Sequence, residues 1–207
     1  MRTGLTLAFA LVASLTLDIS RAAAIKLSTE IAEMYAAVEV APPSATQMTV
    51  CYGFVCRLRL VLNFGPGERA QLTSIMAKGK ASAADERNAI RQAFVWFDHH
   101  VGRQIGTTAR VARADFRHFD AAHNFDCFDT TRNAVSLLLI FQEWGALRHH
   151  TVSSPRFRGN LLFGQTPHNT AVLKERNGGQ NWVVDMWTTS FGQLPDVMPL
   201  ERWLDEN

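Results

Sequence analysis

Apolar residues recur every three or four positions in two segments of the chain, which predicts two amphipathic helices. The first begins after Ser82, where Asp85 follows as an acidic residue of the first turn, and Gly102 is expected to end it. The second begins at Cys127 and is expected to stop at Gly145. Their apolar faces are Ile90, Phe94, Phe97 and Val101 in the first helix, and Ala134, Leu137, Leu138 and Phe141 in the second.

Runs rich in β-branched and aromatic residues predict strands in two further regions. Residues 48–64 are predicted to pair around the loop CYGFVC and to end at the GPG of residues 65–67. Residues 168–187 form two such runs about an Asn-Gly-Gly sequence, which is typical of a β-hairpin. Strands and helices are segregated along the chain. The pattern therefore predicts an α+β fold, in which a central helix starting at Cys127 packs on an antiparallel sheet that contains this hairpin.

The first 24 residues are typical of an export signal. Arg2 precedes an apolar run from Leu5 to Leu17, which is shorter than the roughly 20 residues of a membrane-spanning helix. Cleavage is expected at the end of this segment. Residues 25–47 are then predicted as an N-terminal arm or linker with a short helix, followed by one domain at 48–207. We expect a periplasmic or secreted protein without a stable membrane anchor.

The net charge bears on the kind of partner. The full sequence carries a formal charge of +2, and removal of the signal lowers it by one. So small a charge does not favour nucleic acid or an anionic membrane as the partner. Four arginines lie in an irregular connection over residues 103–123, where we interpret them as a solvated surface rather than an anion site. They are Arg103, Arg110, Arg113 and Arg117.

The three cysteines divide into a pair and a single residue. Cys51 and Cys56 are close enough in sequence to be bridged across a tight loop, and an oxidising compartment favours such a bridge. A redox-active pair is the alternative, although such pairs usually have two intervening residues rather than four. Cys127 remains unpaired among the acids and hydroxyls of NFDCFDTTRN, a setting typical of a reactive thiol rather than a structural one.

The position of Cys127 at a helix start suggests how the thiol would be activated. If Asp126 caps the helix, the free amides and the positive end of the helix dipole are expected to lower the pKa of Cys127. Asp129 follows three residues after the cap, so we interpret it as part of a capping box rather than as a catalytic group. A thiolate nucleophile also needs a base and a group that orients the base.

The predicted hairpin would bring an imidazole and a carboxylate together. With a two-residue turn at Asn177-Gly178, cross-strand partners have numbers that sum to 355, and those of His168 and Asp185 sum to 353. Because both sums are odd, the two side chains would share one face of the sheet, with Cα atoms roughly 7 to 8 Å apart. A direct hydrogen bond is then feasible, whereas a turn with an even sum would separate them.

This arrangement resembles the transglutaminase-like superfamily of cysteine acyl-transfer enzymes, and particularly the bacterial exported transglutaminase-like cysteine proteinases. The matching segments are DCFD at 126–129, PHNTAVL at 167–173 and WVVDMW at 182–187. The resemblance covers roughly residues 83–187. It implies a papain/transglutaminase-like fold and a catalytic triad of Cys127, His168 and Asp185.

The expected activity is hydrolysis of an amide or peptide bond in a protein or peptide substrate, without a cofactor. His168 would be the base, and Asp185 would orient its ring. The backbone N–H of Cys127 is the expected oxyanion donor, with Asn124 as a side-chain candidate. Phe128 stands where the exported proteinases tend to have a second acid of a calcium-associated cluster, so calcium binding is not expected.

Two other functions remain open at this point. A zinc-dependent hydrolase could use His118, His123 and Cys127, since three protein ligands plus water are typical of catalytic zinc, although no HExxH or CxxC spacing is present. A non-catalytic periplasmic binding module on the same fold is the second alternative. The order Cys, His, Asp does not by itself establish an open cleft or an oxyanion hole.

Overall fold

The computed structural model describes residues 25–206, so the export signal predicted for residues 1–24 lies outside the described part of the chain. Within that part, five α-helices and six strands form an α+β fold with two antiparallel sheets. The helices are α1 (Thr29–Ala36), α2 (Pro66–Ala77), α3 (Ala83–Ile105), α4 (Cys127–Glu143) and α5 (Leu200–Asp205). The strands are β1 (Gln47–Tyr52), β2 (Leu58–Asn63), β3 (His150–Arg158), β4 (His168–Glu175), β5 (Asn181–Asp185) and β6 (Asp196–Pro199). None of these helices has both the length and the hydrophobicity that crossing a bilayer requires.

Helix α4 is the central element of the core, as predicted. It begins at Cys127, and the side chain of Asp126 caps it by accepting a hydrogen bond of 2.7 Å from the N–H of Asp129. From Cys127 to Phe141 every residue except Phe128 is buried. A helix buried all round must be covered by other elements on all sides. Its largest contacts are with β1 of the small sheet and β4 of the large sheet.

The large sheet has the strand order β3-β4-β5-β6, with every pair antiparallel. The pairing of β4 with β5 places Ala171 opposite Val184 and Val172 opposite Val183, which is the predicted register. The connecting loop is longer than the two-residue turn that we expected. The hydrogen bond nearest to the turn joins the N–H of Glu175 to the carbonyl of Gln180, and residues 176–179 lie between them. The longer loop leaves the register unchanged, so the predicted distribution of side chains over the two faces is confirmed.

One predicted element end is wrong, and one helix was missed. Helix α3 does not stop at Gly102 but continues to Ile105, where Gly106 adopts a left-handed φ of 73°. Gly102 instead permits close packing, because a Cβ at this position would collide with the ring of Phe191. Helix α2 was not predicted, although Pro66 at its first position is a recognised start signal.

The segment predicted as an N-terminal arm packs into the same core as α4. Ile31 and Tyr35 of α1 are buried, and the Tyr35 hydroxyl lies 2.7 Å from the hydroxyl of Ser136 on α4. The side chain of Arg132, also on α4, donates to the carbonyl of Met34. This segment therefore forms one packed unit with the central helix.

Candidate active site

Cys127 is the first residue of α4, and its side chain lies close to the start of β4. The backbone N–H of Asn169 donates toward its sulfur, and the hydroxyl of Thr131, one turn further along α4, donates to the carbonyl of Asn169 at 2.9 Å. These contacts hold the first turn of α4 against Asn169, the residue that follows His168 on β4. Cys127 is 8% exposed, so its thiol is largely removed from water.

The pKa of Cys127 moves in the opposite direction to our expectation. Burial raises the pKa of the thiol to about 12, and the negative charges of Asp126 and Asp185 act in the same direction. The N–H of Asn169 favours the thiolate but does not offset the loss of hydration. The prediction of a lowered pKa is therefore wrong, and the Cys127 side chain is a neutral thiol at neutral pH.

His168 and Asp185 form a buried pair, as predicted from the hairpin register. The Nε2 atom of His168 lies 2.5 Å from Oδ2 of Asp185, and each side chain is only 2% exposed. Along their strands the two residues share a face with Val172 and Val183, which pack with Trp203 of α5. The imidazole is thus held on the side of the sheet that α5 covers.

Two tryptophans complete the surroundings of Asp185. Oδ2 of Asp185 accepts a second hydrogen bond of 3.0 Å from the indole N–H of Trp203, and Oδ1 accepts one of 3.1 Å from the backbone N–H of Trp187. The rings of both tryptophans also pack on the His168 imidazole, at centroid distances of 4.4 Å for Trp187 and 5.4 Å for Trp203. We did not predict a role for either residue, and only the WVVDMW segment pointed toward Trp187.

The other ring nitrogen of His168 is unoccupied. Because Nε2 faces a carboxylate, it carries the proton, and Nδ1 is left as the basic nitrogen. Within residues 25–206, Nδ1 is buried without any hydrogen-bond partner. No hydrogen bond joins it to Cys127 in this part of the chain.

Asn124 has a structural role in addition to its proposed chemical one. It is buried, its side-chain oxygen accepts from the N–H of Val111 at 3.0 Å, and its backbone carbonyl accepts from the N–H of Gly53 at 2.9 Å. Only its Nδ2 group could therefore donate to an oxyanion. The residue connects two loops to the segment just before Cys127.

The predicted disulfide joins Cys51 and Cys56, and the loop that it closes docks on the start of α4. Three of the loop amides donate to the two acids on either side of Cys127 in the sequence, Asp126 and Asp129. They are the N–H groups of Phe54 and Cys56, at 2.9 and 2.6 Å from Asp129, and of Val55, at 2.8 Å from Asp126. Asp129 is thus the anchor of this loop. Its N–H bonds to the Asp126 cap as predicted, but its carboxylate faces the loop and does not complete the capping box.

The loop adopts an unusual backbone to present these amides. Gly53, Phe54, Val55 and Cys56 all have φ between 51° and 74°. Left-handed backbone costs roughly 1 to 2 kcal/mol for each residue that carries a Cβ. The hydrogen bonds to the two carboxylates offset this cost, and the disulfide holds the turn closed. The loop, the carboxylates and the first turn of α4 therefore form one rigid support for Cys127.

The two buried acids are also electrostatically unusual. Burial and the nearby charge of Asp126 together raise the pKa of Asp129 to about 7, against the opposing effect of the loop amides. Burial raises the pKa of Asp126 as well. The positive charge of Arg132 opposes this effect and lowers the pKa of both acids.

The zinc alternative has no geometric support in the described part of the chain. His118 interacts with Asp115, with Nδ1 of the ring 3.2 Å from the carboxylate, and its side chain is 37% exposed. Over residues 25–206, no cluster of three or more His, Cys, Asp or Glu side chains is arranged to hold a metal ion. His123 and Cys127 are therefore not gathered with His118 into a metal site.

The interpretation of the arginines as a solvated surface is wrong for Arg110, whereas Arg103, Arg113 and Arg117 are exposed as predicted. Arg110 is buried, with an ion pair of 2.8 Å to Asp98 and a hydrogen bond to the carbonyl of Thr189. Arg113 and Arg117 line a cavity of about 290 Å³ that also contacts His168. The remaining lining residues are Asp115, Arg158, Gly159, Thr166, Trp187, Thr188 and Glu206.

Comparison of the chain with protein-family models, curated proteins and solved structures finds no match. The transglutaminase-like resemblance therefore depends on the residues and the geometry of this chain alone.

The raised pKa of Cys127 predicts a particular alkylation profile. We expect iodoacetamide to modify Cys127 more slowly in the folded protein than in unreduced, urea-unfolded protein between pH 7 and 9, because an unfolded thiol has a pKa of about 8.5. The rate in the folded protein should rise about tenfold per pH unit without a plateau below pH 10. Peptide mass spectrometry would measure both rates. A plateau with an apparent pKa below 7 would contradict the structure.

Proposed function

We propose that this protein is a cysteine-dependent amide or peptide hydrolase with a papain/transglutaminase-like arrangement, in which Cys127 is the nucleophile, His168 the base and Asp185 the orienting group. One observation carries the proposal. The His168 ring is buried and held at Nε2 by Asp185, while Nδ1 has no partner, and the next residue, Asn169, contacts the sulfur of Cys127.

A second buried histidine in the same chain gives a direct contrast. His150 is fully buried, and both of its ring nitrogens are engaged: Nδ1 lies 2.8 Å from Glu86 and Nε2 lies 3.2 Å from Arg87. That is the usual state of a structural histidine, because a buried polar atom without a partner costs roughly 1 to 3 kcal/mol. The unpartnered Nδ1 of His168 departs from this pattern, which supports a chemical role.

The neutral thiol requires that the proton and the sulfur react together. As Sγ of Cys127 bonds to the substrate carbonyl carbon, its proton passes to Nδ1 of His168, and the carbonyl electrons move to oxygen. The charged imidazolium is stabilised by the Asp185 carboxylate, and the oxyanion by the N–H of Cys127. Collapse of this intermediate breaks the C–N bond, and the departing amine takes the proton from Nδ1.

The second half of the reaction regenerates the enzyme. A water molecule attacks the thioester carbon while Nδ1 of His168 accepts one of its protons. The C–S bond then breaks, the carboxylic acid product leaves, and the proton on Nδ1 returns to the sulfur. Hydrolysis is the proposed outcome because water is abundant in the periplasmic or secreted location that we propose, a location that the Cys51–Cys56 bridge supports.

A non-catalytic binding module on the same fold is the second candidate. Two observations favour it: the pKa of Cys127 is about 12, and no hydrogen bond joins its thiol to His168 within residues 25–206. A triad that had lost its activity would show both features.

Acylation by p-nitrophenyl acetate separates the two candidates. We expect the wild-type protein at pH 7.5 to release a burst of p-nitrophenol and to carry an acetyl group on Cys127 by peptide mass spectrometry. His168→Ala should slow this acylation by at least about 100-fold, because general-base catalysis contributes 10² to 10⁴. His118→Ala is the matched control and should acylate at the wild-type rate. Acylation at Cys127 that is insensitive to His168→Ala, or no acylation at all, would favour the binding module.

A further inference from the structure

The cavity beside His168 lies on one particular side of the proposed reaction centre. His168 is among its lining residues, whereas Cys127 is not. In the mechanism above, the sulfur retains the acyl part of the substrate and the imidazole hands a proton to the departing amine. This cavity borders the imidazole of His168 but not the sulfur of Cys127. It is therefore placed to receive the part of the substrate that leaves as the amine. Its volume of about 290 Å³ is sufficient for one or two amino-acid residues rather than a long segment.

The charges that line this cavity do not cancel locally. Arg117 is neutralised by Asp115, whose carboxylate accepts from both Nε and Nη2 of the guanidinium, and this contact holds the pKa of Asp115 below its usual range. Glu206 pairs with Arg202, which is not a lining residue. In the described part of the chain, Arg113 and Arg158 are then the lining cations without a carboxylate within ion-pair distance.

The protein holds the side chain of Arg158 and the backbone of Arg113 in place. The Arg158 guanidinium donates to the carbonyl of Trp203 and lies 4.3 Å from the centre of that ring. The backbone N–H of Arg113 donates to the carbonyl of Trp187 at 2.7 Å, with a left-handed φ of 54°. Such a backbone conformation costs roughly 1 to 3 kcal/mol at a residue with a side chain, and it recurs at ligand sites.

Exposed apolar side chains lie in the two turns that border the cavity. Phe116 is 87% exposed, and it is placed between Asp115 and Arg117. Residues 161–163, Leu-Leu-Phe, are at least 75% exposed, and they lie between the lining residues Gly159 and Thr166. Apolar surface next to a cationic cavity suits a peptide better than a small inorganic anion.

We propose that this cavity binds a carboxylate on the leaving side of the scissile amide, so that the preferred substrates are peptides with an acidic group just after the cleaved bond. The assignment to the leaving side rests on the proposed function. The guanidinium of Arg113 would receive the carboxylate, since its planar donors match carboxylate geometry. The carboxylate could belong to an aspartate or glutamate side chain or to the C-terminus of a peptide.

Equilibrium binding to the Cys127→Ala protein tests this without requiring turnover. The probes are three N-acetylated tetrapeptides with the same first three residues, Ala-Phe-Ala, that end in glutamate amide, glutamine amide or glutamine free acid. We expect at least one carboxylate peptide to bind about tenfold more tightly than the glutamine amide by isothermal titration calorimetry, since a charge-assisted hydrogen bond is worth roughly that factor. A preference for glutamate amide would assign a side-chain carboxylate, and a preference for the free acid would assign the C-terminus.

The variants show whether the preference originates in the cavity. Adding Arg113→Gln to the Cys127→Ala protein should remove the carboxylate preference, and Arg113→Lys should restore part of it. Arg103→Gln, an exposed arginine that does not line the cavity, should leave the preference unchanged. Equal binding of all three peptides, no binding of any, or a preference that survives Arg113→Gln would overturn the proposal. If the preference holds and the wild-type protein cleaves none of these peptides and fails the acylation test, the carboxylate site stands and the hydrolase proposal fails.

Discussion

Replacing Cys127 with alanine is expected to lower kcat/KM for peptide hydrolysis by at least about 10⁴-fold, because the change removes the sulfur that would form the acyl-enzyme in the proposed reaction. Hydrolysis of fluorescently labelled casein would measure the loss. Phe128→Ala is the matched control, since Phe128 is the next residue of α4 and is 44% exposed. It should stay within a few-fold of the wild-type protein.

The other two members of the proposed triad should give graded losses. His168→Ala should come close to the effect of Cys127→Ala, because the neutral thiol has no other base within the described contacts. Asp185→Asn should retain more activity than either, with a loss of about 10² to 10⁴-fold, because an amide there no longer holds the ring in the tautomer with a free Nδ1. Full turnover in Cys127→Ala would end the hydrolase hypothesis. Loss of activity on chelation, restored by added zinc, would instead support the metal alternative.

Replacing Asp129 with alanine is expected to lower the free energy of unfolding by about 2 to 4 kcal/mol, because it leaves the N–H groups of Phe54 and Cys56 buried without acceptors. Urea unfolding followed by circular dichroism would measure the change, which corresponds to a fall in Tm of roughly 5 to 15 °C for a domain of this size. Catalysis should fall as well, since the docked loop supports Cys127. An unchanged Tm would mean that the loop does not depend on Asp129.

Asp85 provides the control for this prediction. Asp85 and Asp129 each lie three residues after the cap of a helix, but Asp85 is exposed, and among residues 25–206 its side chain forms a hydrogen bond only with Ser82. Asp85→Ala should therefore cost less than about 1 kcal/mol, as surface capping contacts do. A loss as large as that of Asp129→Ala would show that the helix start, and not the loop, is the source of the effect.

The contribution of Asp129 to stability should decrease as the pH rises. Because burial raises the pKa of Asp129 to about 7, the folded state binds this proton more tightly than the unfolded state. The contribution of Asp129 to stability is therefore complete below about pH 4, the unfolded pKa, and declines as the pH rises toward 7. The stability of the wild-type protein relative to Asp129→Asn should fall over this interval. A rise would indicate that the loop amides lower the pKa after all.

The local features of the site could be predicted because they depend on short stretches of chain. Asp126 is an N-cap residue directly before an apolar run, which was enough to place the start of α4 at Cys127. The Asn-Gly-Gly sequence predicted a hairpin, and the strand register that goes with it places His168 and Asp185 on one face of the sheet. The 2.5 Å distance between Nε2 of His168 and Oδ2 of Asp185 follows from that register. The catalytic role of these three residues stays a prediction.

What the sequence by itself determined is thus the α+β character, the helix start at Cys127, the Cys51–Cys56 bridge and the pairing of His168 with Asp185, because caps, turns and strand periodicity act between near neighbours. Only the tertiary structure decided that Asp129 anchors the disulfide loop, that Trp203 of α5 reaches Asp185 and that Arg113 borders His168. These contacts join segments far apart in the chain. The tertiary structure also reversed the expected pKa of Cys127, because hydration of a thiolate depends on how completely the surrounding elements exclude water, which no local pattern reports.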